Sequence, residues 1–481
     1  MSHRSFGSRI RRLRNERGLT QAALADRVGI SASYLNLIEH GRRRVSAELL
    51  VRIATALDLD LRALGAEGDA ELLLDLVEAF GDALFDDRPV ARADLEALVG
   101  EAPELARSVI RLYRSYDAAR RSVETLSARE LDRIEVAAVD RVRLSSEQVS
   151  DFIQRQMNYF PALEEAAERL WRDARLDREG LYGGLAGALD REFGVRVRIA
   201  TVEELGSVVR RFDPARRELV LSETLRRGSR NFQCATQLGL LRERPALEGL
   251  TDDPMLDTEE ARALGRMALA GYYAAAVLMP YGDFHRGAEE THYDVELLGH
   301  RFRVGWEQVC HRLTTLRRPG AAGVAFHFVR VDIAGNISKK FSATAVRFPR
   351  FSGLCPLWNV HGAFLQPGRV RVQLSRLPDG SALFSVARTV QRQAGGWREP
   401  AVLQAVGIGC DVEEASRLVY AEGMDLSNLG AAVPIGISCR VCERVECRAR
   451  AFPSLHHPLQ LDENVRGVSF FTPATRPGGP A

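Results

Sequence analysis

The stretch Thr20–Arg43 reads TQAALADRVGISASYLNLIEHGRR, and it decides how the N-terminal region folds. Thr20 is a good N-cap for a short helix, and apolar residues then recur at helical spacing. Gly29 breaks this pattern, Ser31 is positioned to cap a second helix, and Gly41 marks its end. The sequence therefore predicts two short helices joined by a tight turn.

This arrangement is typical of a helix-turn-helix, in which the second helix lies in the major groove of DNA. Met1–Asp60 contains eleven Arg against six acidic residues, a net charge of +5 that leaves −3 for the rest of the chain. Such an asymmetry indicates that this end of the chain faces nucleic acid. The alternative is a small helical bundle that uses a basic surface for protein contacts.

The same stretch resembles the DNA-binding domain of the Xre and phage-repressor family. The resemblance implies that Gln21 and Arg42 to Arg44 contact phosphates, while residues of the second helix face base edges. The implied DNA-binding set is Thr20, Gln21, Ser31, Ala32, Ser33, Tyr34, Asn36, Arg42, Arg43 and Arg44. Such domains bind as dimers on half-sites ~34 Å apart, so we expect a homodimer and a dimerising element elsewhere in the chain.

The whole chain has 481 residues, which is enough for about three domains. Residues 66–175 have helical periodicity and predict a helical linker, which either dimerises or packs within the chain. We find no run of ~20 apolar residues and no apolar signal core at the N-terminus. We therefore expect a cytoplasmic protein with no membrane partner.

Strand and helix patterns alternate from residue 176 onward. Strands are predicted at 195–199, 208–212 and 218–222, followed by the helix RNFQCATQLGLL at 230–241. This order resembles the metallopeptidase-like domain of the ImmA/IrrE type, whose helix carries His-Glu-x-x-His. The corresponding residues here are Cys234–Leu238, which provide neither zinc-binding His nor catalytic Glu. We expect a degenerate peptidase fold without activity; a phage- or antitoxin-type regulator that still cleaves a repressor is the alternative.

Cysteines form the strongest chemical signal in the C-terminal half. Cys439, Cys442 and Cys447 have the spacing C-x2-C-x4-C, and Cys355 precedes a proline upstream. Four thiolates suffice for tetrahedral zinc or a [4Fe-4S] cluster, and buried free thiols are a further alternative. His361 could replace Cys355 as a ligand. Cys234, Cys310 and Cys410 lie in apolar contexts and are predicted to be core residues.

The C-terminal half has strand candidates at 324–332, 337–346, 382–390 and 401–409 and a helix candidate at 412–421, which predict an α+β sensor. Two of its blocks are RFSGLCPLWNVHGAF at 350–364 and CRVCERVECRARAFP at 439–453. With the head and the degenerate middle domain, they resemble the short-chain fatty acyl transcriptional regulators of actinobacteria. We found no catalytic arrangement of residues, so we predict that the chain is not an enzyme.

The family resemblance implies control of the methylcitrate or glyoxylate pathway, an acyl-CoA effector such as propionyl-CoA or acetyl-CoA, and an iron-sulfur cluster in preference to zinc. A CoA ligand needs cationic partners for its phosphates. The candidates are Arg312, Arg317, Arg318, Lys339 and Lys340, each of which could equally be a solvated surface charge. A redox sensor in which the cluster alone is the signal is the remaining alternative.

The expected fold is therefore multidomain. It combines an all-α helix-turn-helix head at 1–65, a helical linker at 66–175, an α+β degenerate metallopeptidase-like domain at 176–275 and an α+β sensor domain at 276–481.

Overall fold

The structure is a computed structural model. It describes residues 10–11, 13–15, 17–40, 43, 47–57, 67–85, 90–127, 136–344, 346–349, 353–392, 401–444, 446–453 and 469. These residues fall into two compact units. The first contains the described residues up to 127, and the second contains nearly all of those from 136 onward.

The first unit is helical. Its head contains α1 (Gln21–Val28), α2 (Ala32–Glu39) and α3 (Ala47–Ala56). Their apolar faces share one core that includes Ile10, Leu24, Leu35, Ile38 and Ile53.

Three further helices of the first unit contact one another. They are α4 (Glu67–Phe80), α5 (Arg92–Glu101) and α6 (Pro103–Ser127). Leu76, Leu95 and Ile110 are buried, one from each helix. The phenol of Tyr113 donates to Asp82 Oδ2 at 3.0 Å and ties α6 to the turn that follows α4.

The second unit begins with helices that the sequence assigned to the linker. Its helices are α7 (Val136–Arg155), α8 (Pro161–Asp173), α9 (Leu181–Phe193), α10 (Val202–Leu205), α11 (Arg227–Arg242), α12 (Arg244–Thr251), α13 (Glu259–Leu278), α14 (Tyr281–Glu290), α15 (Val295–Phe302), α16 (Trp306–Leu313) and α17 (Asn359–Gly362). Phe152 of α7 and Leu163 of α8 pack in one cluster with Leu269 of α13. The end of the predicted linker is therefore part of this unit's core.

A small three-stranded sheet covers part of the helices. It consists of β1 (Arg196–Ala200), β2 (Arg210–Asp213) and β3 (Glu218–Ser222) in the order β1-β3-β2. β1 pairs with β3 in parallel, and β2 pairs with β3 antiparallel. β2 is thus an edge strand, and α11 follows β3 directly in the chain.

A second sheet has six strands in the order β5-β4-β8-β7-β6-β9. Its strands are β4 (His327–Asp332), β5 (Ile337–Ser342), β6 (Arg371–Arg376), β7 (Ala382–Arg392), β8 (Val402–Asp411) and β9 (Val433–Pro434). All neighbours pair antiparallel except β6 and β9. The sequence predicted four of these strands and missed β6 and β9.

One predicted helix is wrong in type. Residues 412–421 form two 3₁₀ segments, Val412–Arg417 and Val419–Ala421, instead of an α-helix. Leu418 between them is extended, with φ −98° and ψ 130°, so the α-helical hydrogen-bond ladder cannot continue.

The two sheets of the second unit share one continuous apolar core. Leu221 of β3, Leu238 of α11, Phe328 of β4 and Phe384 of β7 all belong to it. The predicted boundary between residues 275 and 276 falls within α13, and as a domain limit it stays a prediction. Among the described residues, no helix is both long enough and apolar enough to cross a membrane.

Candidate functional sites

The turn of the helix-turn-helix is built by the predicted caps. The hydroxyl of Thr20 accepts the Ala23 N–H at 3.1 Å, and the hydroxyl of Ser31 accepts the Tyr34 N–H at 3.1 Å. Gly29 ends α1 with φ +69°, a left-handed conformation that a side chain rarely adopts. The sequence pattern therefore determines where α1 ends and where α2 begins.

A buried ion pair holds the head together, and sequence reasoning did not predict it. Arg14 donates from Nε and Nη2 to the two carboxylate oxygens of Glu39, at 2.7 and 3.1 Å. Gln21 donates from Nε2 to the same carboxylate at 2.9 Å. A single acid on the apolar face of α2 was the available signal, because a buried carboxylate requires a partner.

The predicted base-reading residues lie on the exposed face of α2. Ala32, Ser33 and Asn36 are exposed, and Tyr34 is half-buried. The guanidinium carbon of Arg43 lies 5.4 Å from the centre of the Tyr34 ring. Arg42 and Arg44 lie outside the described residues. The DNA-contact roles of these residues stay predictions, but α2 leaves its polar face open to a partner.

The peptidase-like helix α11 carries no metal chemistry in its central segment. Cys234 is fully buried and Gln237 is 4% exposed. Burial raises the pKa of Cys234 to about 12, so its thiol stays protonated at neutral pH. The shifted pentad Thr236–Leu240 also lacks histidine. Neither register of the helix offers the paired imidazoles and glutamate of a zinc peptidase.

Three of the four predicted cysteine ligands, Cys355, Cys439 and Cys442, lie near one another. Cys355, Cys439 and Cys442 are buried, and Cys447 is half-buried. The Cys355 N–H donates to the carbonyl of Ile437 at 3.0 Å, which joins the two cysteine-bearing loops. Burial raises the pKa of Cys355, the backbone N–H groups of Gly436 and Leu357 lower it, and the nearby thiols of Cys439 and Cys442 raise it.

Arg450 is a structural residue of this site that sequence reasoning missed. Its side chain is buried, and it donates to the carbonyl oxygens of Cys439 and Cys442 at 2.8 and 3.1 Å. The carbonyl of Arg450 in turn accepts the Ser469 hydroxyl at 2.8 Å. One guanidinium therefore fixes the backbone on both sides of the C-x2-C turn.

The approach of Gly436 to Cys442 leaves no room for a side chain. A Cβ at Gly436 would lie 2.7 Å from the Cys442 sulfur and 3.1 Å from its Cβ. A glycine here lets the loop after β9 approach the C-x2-C turn closely.

These cysteines fit a metal centre in their chemistry and only partly in their geometry. Buried thiols with N–H donors directed at sulfur are the surroundings of metal-bound thiolates. Within the described part of the chain, however, no three or more His, Cys, Asp or Glu side chains are placed to hold one ion. His361 does not complete such a group, and its buried Nε2 has no hydrogen-bond partner there. The ligand set stays a prediction.

One of the five predicted effector cations is wrong. Arg312 is fully buried, and its Nη1 and Nη2 donate to the two oxygens of Glu164 at 2.6 and 2.9 Å. Its Nε donates to the Met279 carbonyl at 3.0 Å. Burial alone would lower the pKa of Arg312, but the facing carboxylate of Glu164 raises it. The Arg312 guanidinium is part of the core, so it cannot contact a phosphate of a bound ligand in this conformation.

The other four cations lie nearer the surface. Arg318 donates to Glu168 at 2.9 Å, and its guanidinium carbon lies 4.3 Å from the centre of the Tyr281 ring. Arg317 is half-buried in the turn that follows α16. Lys339 is exposed and Lys340 half-buried on β5. Burial lowers the pKa of His311 in α16, and the charge of Lys339 lowers it further, so β5 and α16 are electrostatic neighbours.

Three segments of the chain match known families. Residues 10–64 match the helix-turn-helix family, residues 190–314 the IrrE N-terminal-like domain, and residues 315–471 the C-terminal domain of the short-chain fatty acyl coenzyme A regulators. The predicted multidomain architecture is confirmed, including the match of an IrrE-like domain to a segment without the zinc motif.

Whole-chain relatives lead to the same family. The HTH-type transcriptional regulator PrpR of Mycobacterium tuberculosis is 40% identical over 462 residues, 95% of this chain and 94% of PrpR. RamB of the same organism is 40% identical over 472 residues, 98% of each chain. The propionyl-CoA carboxylase regulator of Cereibacter sphaeroides is 39% identical over 468 residues, 96% of this chain and 97% of that protein.

A solved structure of a Mycobacterium tuberculosis transcriptional regulator is also similar, with a TM-score of 0.65 and 42% identity. It covers 69% of this chain and 99% of the solved chain. The chain therefore belongs to the short-chain fatty acyl coenzyme A regulator family, as the sequence motifs predicted, and it is a DNA-binding transcriptional regulator rather than an enzyme.

Proposed function

We propose that this regulator binds operator DNA through the exposed face of α2, as a cytoplasmic homodimer, and changes its DNA affinity when an acyl-CoA binds the second unit. Propionyl-CoA is the first effector to test, because a relative across nearly the whole chain is named as a propionyl-CoA carboxylase regulator. By the same inference, its targets are genes of propionate and related short-chain acyl metabolism, such as the methylcitrate or glyoxylate pathway.

The observation that carries this proposal is the shared core of the second unit. The peptidase-like helices and the C-terminal sheet bury their apolar residues against each other, so a ligand held by one part acts on both. A ligand that binds one conformation of this unit more tightly shifts the DNA-competent population by its differential affinity.

Arg317, Arg318, Lys339 and Lys340 remain the proposed partners of the CoA phosphates. They lie near the α16–β5 region, where Lys339 acts on His311. Guanidinium groups suit phosphate binding because they offer paired N–H donors. The aromatic ring of Tyr281 holds Arg318 in place. DNA contacts by Thr20, Gln21, Ser31, Ala32, Ser33, Tyr34, Asn36, Arg42, Arg43 and Arg44 are part of the same proposal.

Calorimetry with propionyl-CoA, acetyl-CoA and free CoA tests the effector. We expect binding of an acyl-CoA, weakened about 100-fold or more by the pair Arg317→Ala and Lys339→Ala, since each lost charge-assisted contact costs about 1.5 kcal/mol or more. Arg216→Ala is the matched control, because its side chain is 81% exposed in the turn between β2 and β3. If the wild-type protein binds none of the acyl-CoA compounds, the proposal of an acyl-CoA effector is wrong.

We also propose that Cys355, Cys439, Cys442 and Cys447 hold a [4Fe-4S] cluster, with zinc as the alternative metal. Such a cluster would supply one-electron redox chemistry and would cross-link the loops that carry these cysteines. Support comes from the burial of three of the thiols and the N–H groups directed at the Cys355 sulfur.

Anaerobic purification with iron, sulfide and zinc analysis decides between the metals. A protein that contains zinc and neither iron nor sulfide would contradict the cluster. The same sample also tests the alternative in which the cluster alone is the signal. In that case the DNA affinity changes when the cluster is oxidised and does not change when acyl-CoA is added.

A further inference from the structure

Helix α6 has two separate apolar faces. One of them packs within the chain: Ala106 is 0% exposed, Ile110 3% and Tyr113 7%. The other is open to solvent, where Leu105 is 56% exposed and Leu112 is 73% exposed. Two leucines this exposed on one helix indicate a surface that is incomplete in the single chain.

The exposed face follows a coiled-coil repeat. Leu105, Val109, Leu112 and Tyr116 are spaced by four, three and four residues. The same alternation continues along the helix sequence through Ala119, Val123 and Leu126. A sustained 3.5-residue repeat places every member on one seam between two supercoiled helices, with Val109, Tyr116 and Val123 at a positions and the remaining members at d.

The border of this seam is uncharged on one side. Ser108, Ser115 and Ser122 occupy all three g positions, next to the a positions. The hydroxyl of Ser108 donates to the Glu104 carbonyl at 2.8 Å, and that of Ser115 donates to the Arg111 carbonyl at 3.1 Å. Because these hydroxyls are satisfied within α6, a partner can cover them without breaking a hydrogen bond.

Most charged side chains of α6 lie away from the seam, and Arg120, at an e position, would face the uncharged Ser115 of a parallel partner. Arg107 and Arg114 are at f positions, and Arg111 is at a c position. Arg114 reaches Asp75 of α4 at 3.5 Å. A second copy of the same surface would therefore meet it without placing like charges in contact.

We propose that the Leu105–Leu126 seam of α6 is where a second copy of this chain docks, as a parallel two-stranded coiled coil. The seam is ~32 Å long at 1.5 Å per residue and contains three heptads, enough for a coiled coil. The uncharged g positions carry no charge pattern that would select a different partner. This inference rests on the proposed function, since a parallel pair places both DNA-binding heads at one end, where they can reach two half-sites.

The oligomeric mass of the full-length protein tests the seam directly, without DNA or effector. We expect a dimer for the wild type and a monomer for Leu112→Glu, which buries two facing carboxylates in the seam. Arg111→Glu is the matched control, since it adds the same side chain one residue away, outside the seam, and should remain dimeric. Leu112 is 73% exposed, so the substitution does not disturb the monomer's own core.

Cysteine cross-linking tests the orientation. Leu105→Cys should form a disulfide with its own counterpart only when the helices run parallel, because an antiparallel pair separates the two positions along the axis. Glu104→Cys, on the exposed c position, is the control that should cross-link little. A wild-type monomer, or a Leu112→Glu protein that remains dimeric, would overturn the seam.

DNA titrations separate this inference from the proposed function. Leu112→Glu should lose roughly 100-fold in affinity for a duplex with two half-sites, selected from a random library by the wild type, and keep its affinity for one half-site. Acyl-CoA binding should be unchanged. If the wild type is dimeric through α6 yet ignores acyl-CoA, the effector proposal fails and the seam stands.

Discussion

The guanidinium of Arg312 and the carboxylate of Glu164 form a fully buried, bidentate ion pair. The distance from Nη1 to Oε1 is 2.6 Å, and the distance from Nη2 to Oε2 is 2.9 Å. The pair joins α16 to α8, and the Tyr272 hydroxyl of α13 donates to the same carboxylate. Each charge is costly inside a protein unless the other is present.

Glu164→Gln should therefore destabilise the second unit by about 3–5 kcal/mol, because it leaves the Arg312 charge buried without its counter-ion. Urea unfolding monitored by tryptophan fluorescence measures the change. Glu165→Gln is the matched control, since the neighbouring side chain is exposed and should change the unfolding free energy by less than about 0.5 kcal/mol. Equal effects of the two substitutions would show that the ion pair contributes nothing specific.

Glu39→Gln should loosen the head. It removes the charge that Arg14 and Gln21 share, and about 3 kcal/mol of local stability should be lost, as expected for a broken buried pair. Hydrogen exchange of the α1 and α2 amides should accelerate, and DNA affinity should fall. Asp26→Asn, on the exposed face of α1, should leave both measurements unchanged. Unaltered exchange in Glu39→Gln would contradict the role given to this pair.

Arg450→Ala should lower the iron or zinc content of the purified protein at least about twofold, because the carbonyls of Cys439 and Cys442 lose their donor and the C-x2-C turn is no longer fixed. Metal analysis and the visible absorption spectrum measure this. Arg448→Ala is the control, since Arg448 is exposed two residues away. A fully loaded Arg450→Ala protein would mean that the turn holds its shape without the guanidinium.

The second unit should lose stability as the pH falls below about 6.5, and His327 should contribute to this loss. Burial lowers the pKa of His327 to about 3, so the folded protein keeps this side chain neutral while the unfolded chain binds a proton from pH ~6.5 downward. The stabilisation is complete above pH ~6.5 and declines by about 1.4 kcal/mol per pH unit between there and pH 3.

His327→Gln should flatten this part of the stability curve, whereas His300→Gln, at an exposed position, should not. Unfolding free energies at several pH values between 4 and 7 measure the difference. Parallel curves for the wild type and His327→Gln would rule out a proton-linked contribution from His327.

Much of the head follows from its local sequence. Thr20 and Ser31 cap the helices they precede, and Gly29 takes the left-handed conformation that the turn requires. These features depend on residues within four positions of each other, so one sequence suffices to predict them. The repeating apolar positions of the strands predicted β4, β5, β7 and β8 for the same reason, whereas β9 has only two residues and β6, with the sequence RVQLSR, is mostly polar.

The ion pairs and the cysteine site depend on residues far apart in the chain. The local sequence does not distinguish Arg312 from Arg317 and Arg318. Arg312 is buried beside Glu164 because α8 packs against α16. Arg450 likewise donates to the carbonyls of Cys439 and Cys442 only because the folded loop brings it beside them.

The helix-turn-helix, the loss of the zinc motif and the family could all be predicted without the structure, because they depend on neighbouring residues and on motif spacing. Which charges are buried, which thiols are neighbours and which face of α6 stays exposed became known only from the folded structure. Burial and contact depend on what the rest of the chain places opposite each side chain, and no local pattern contains that information.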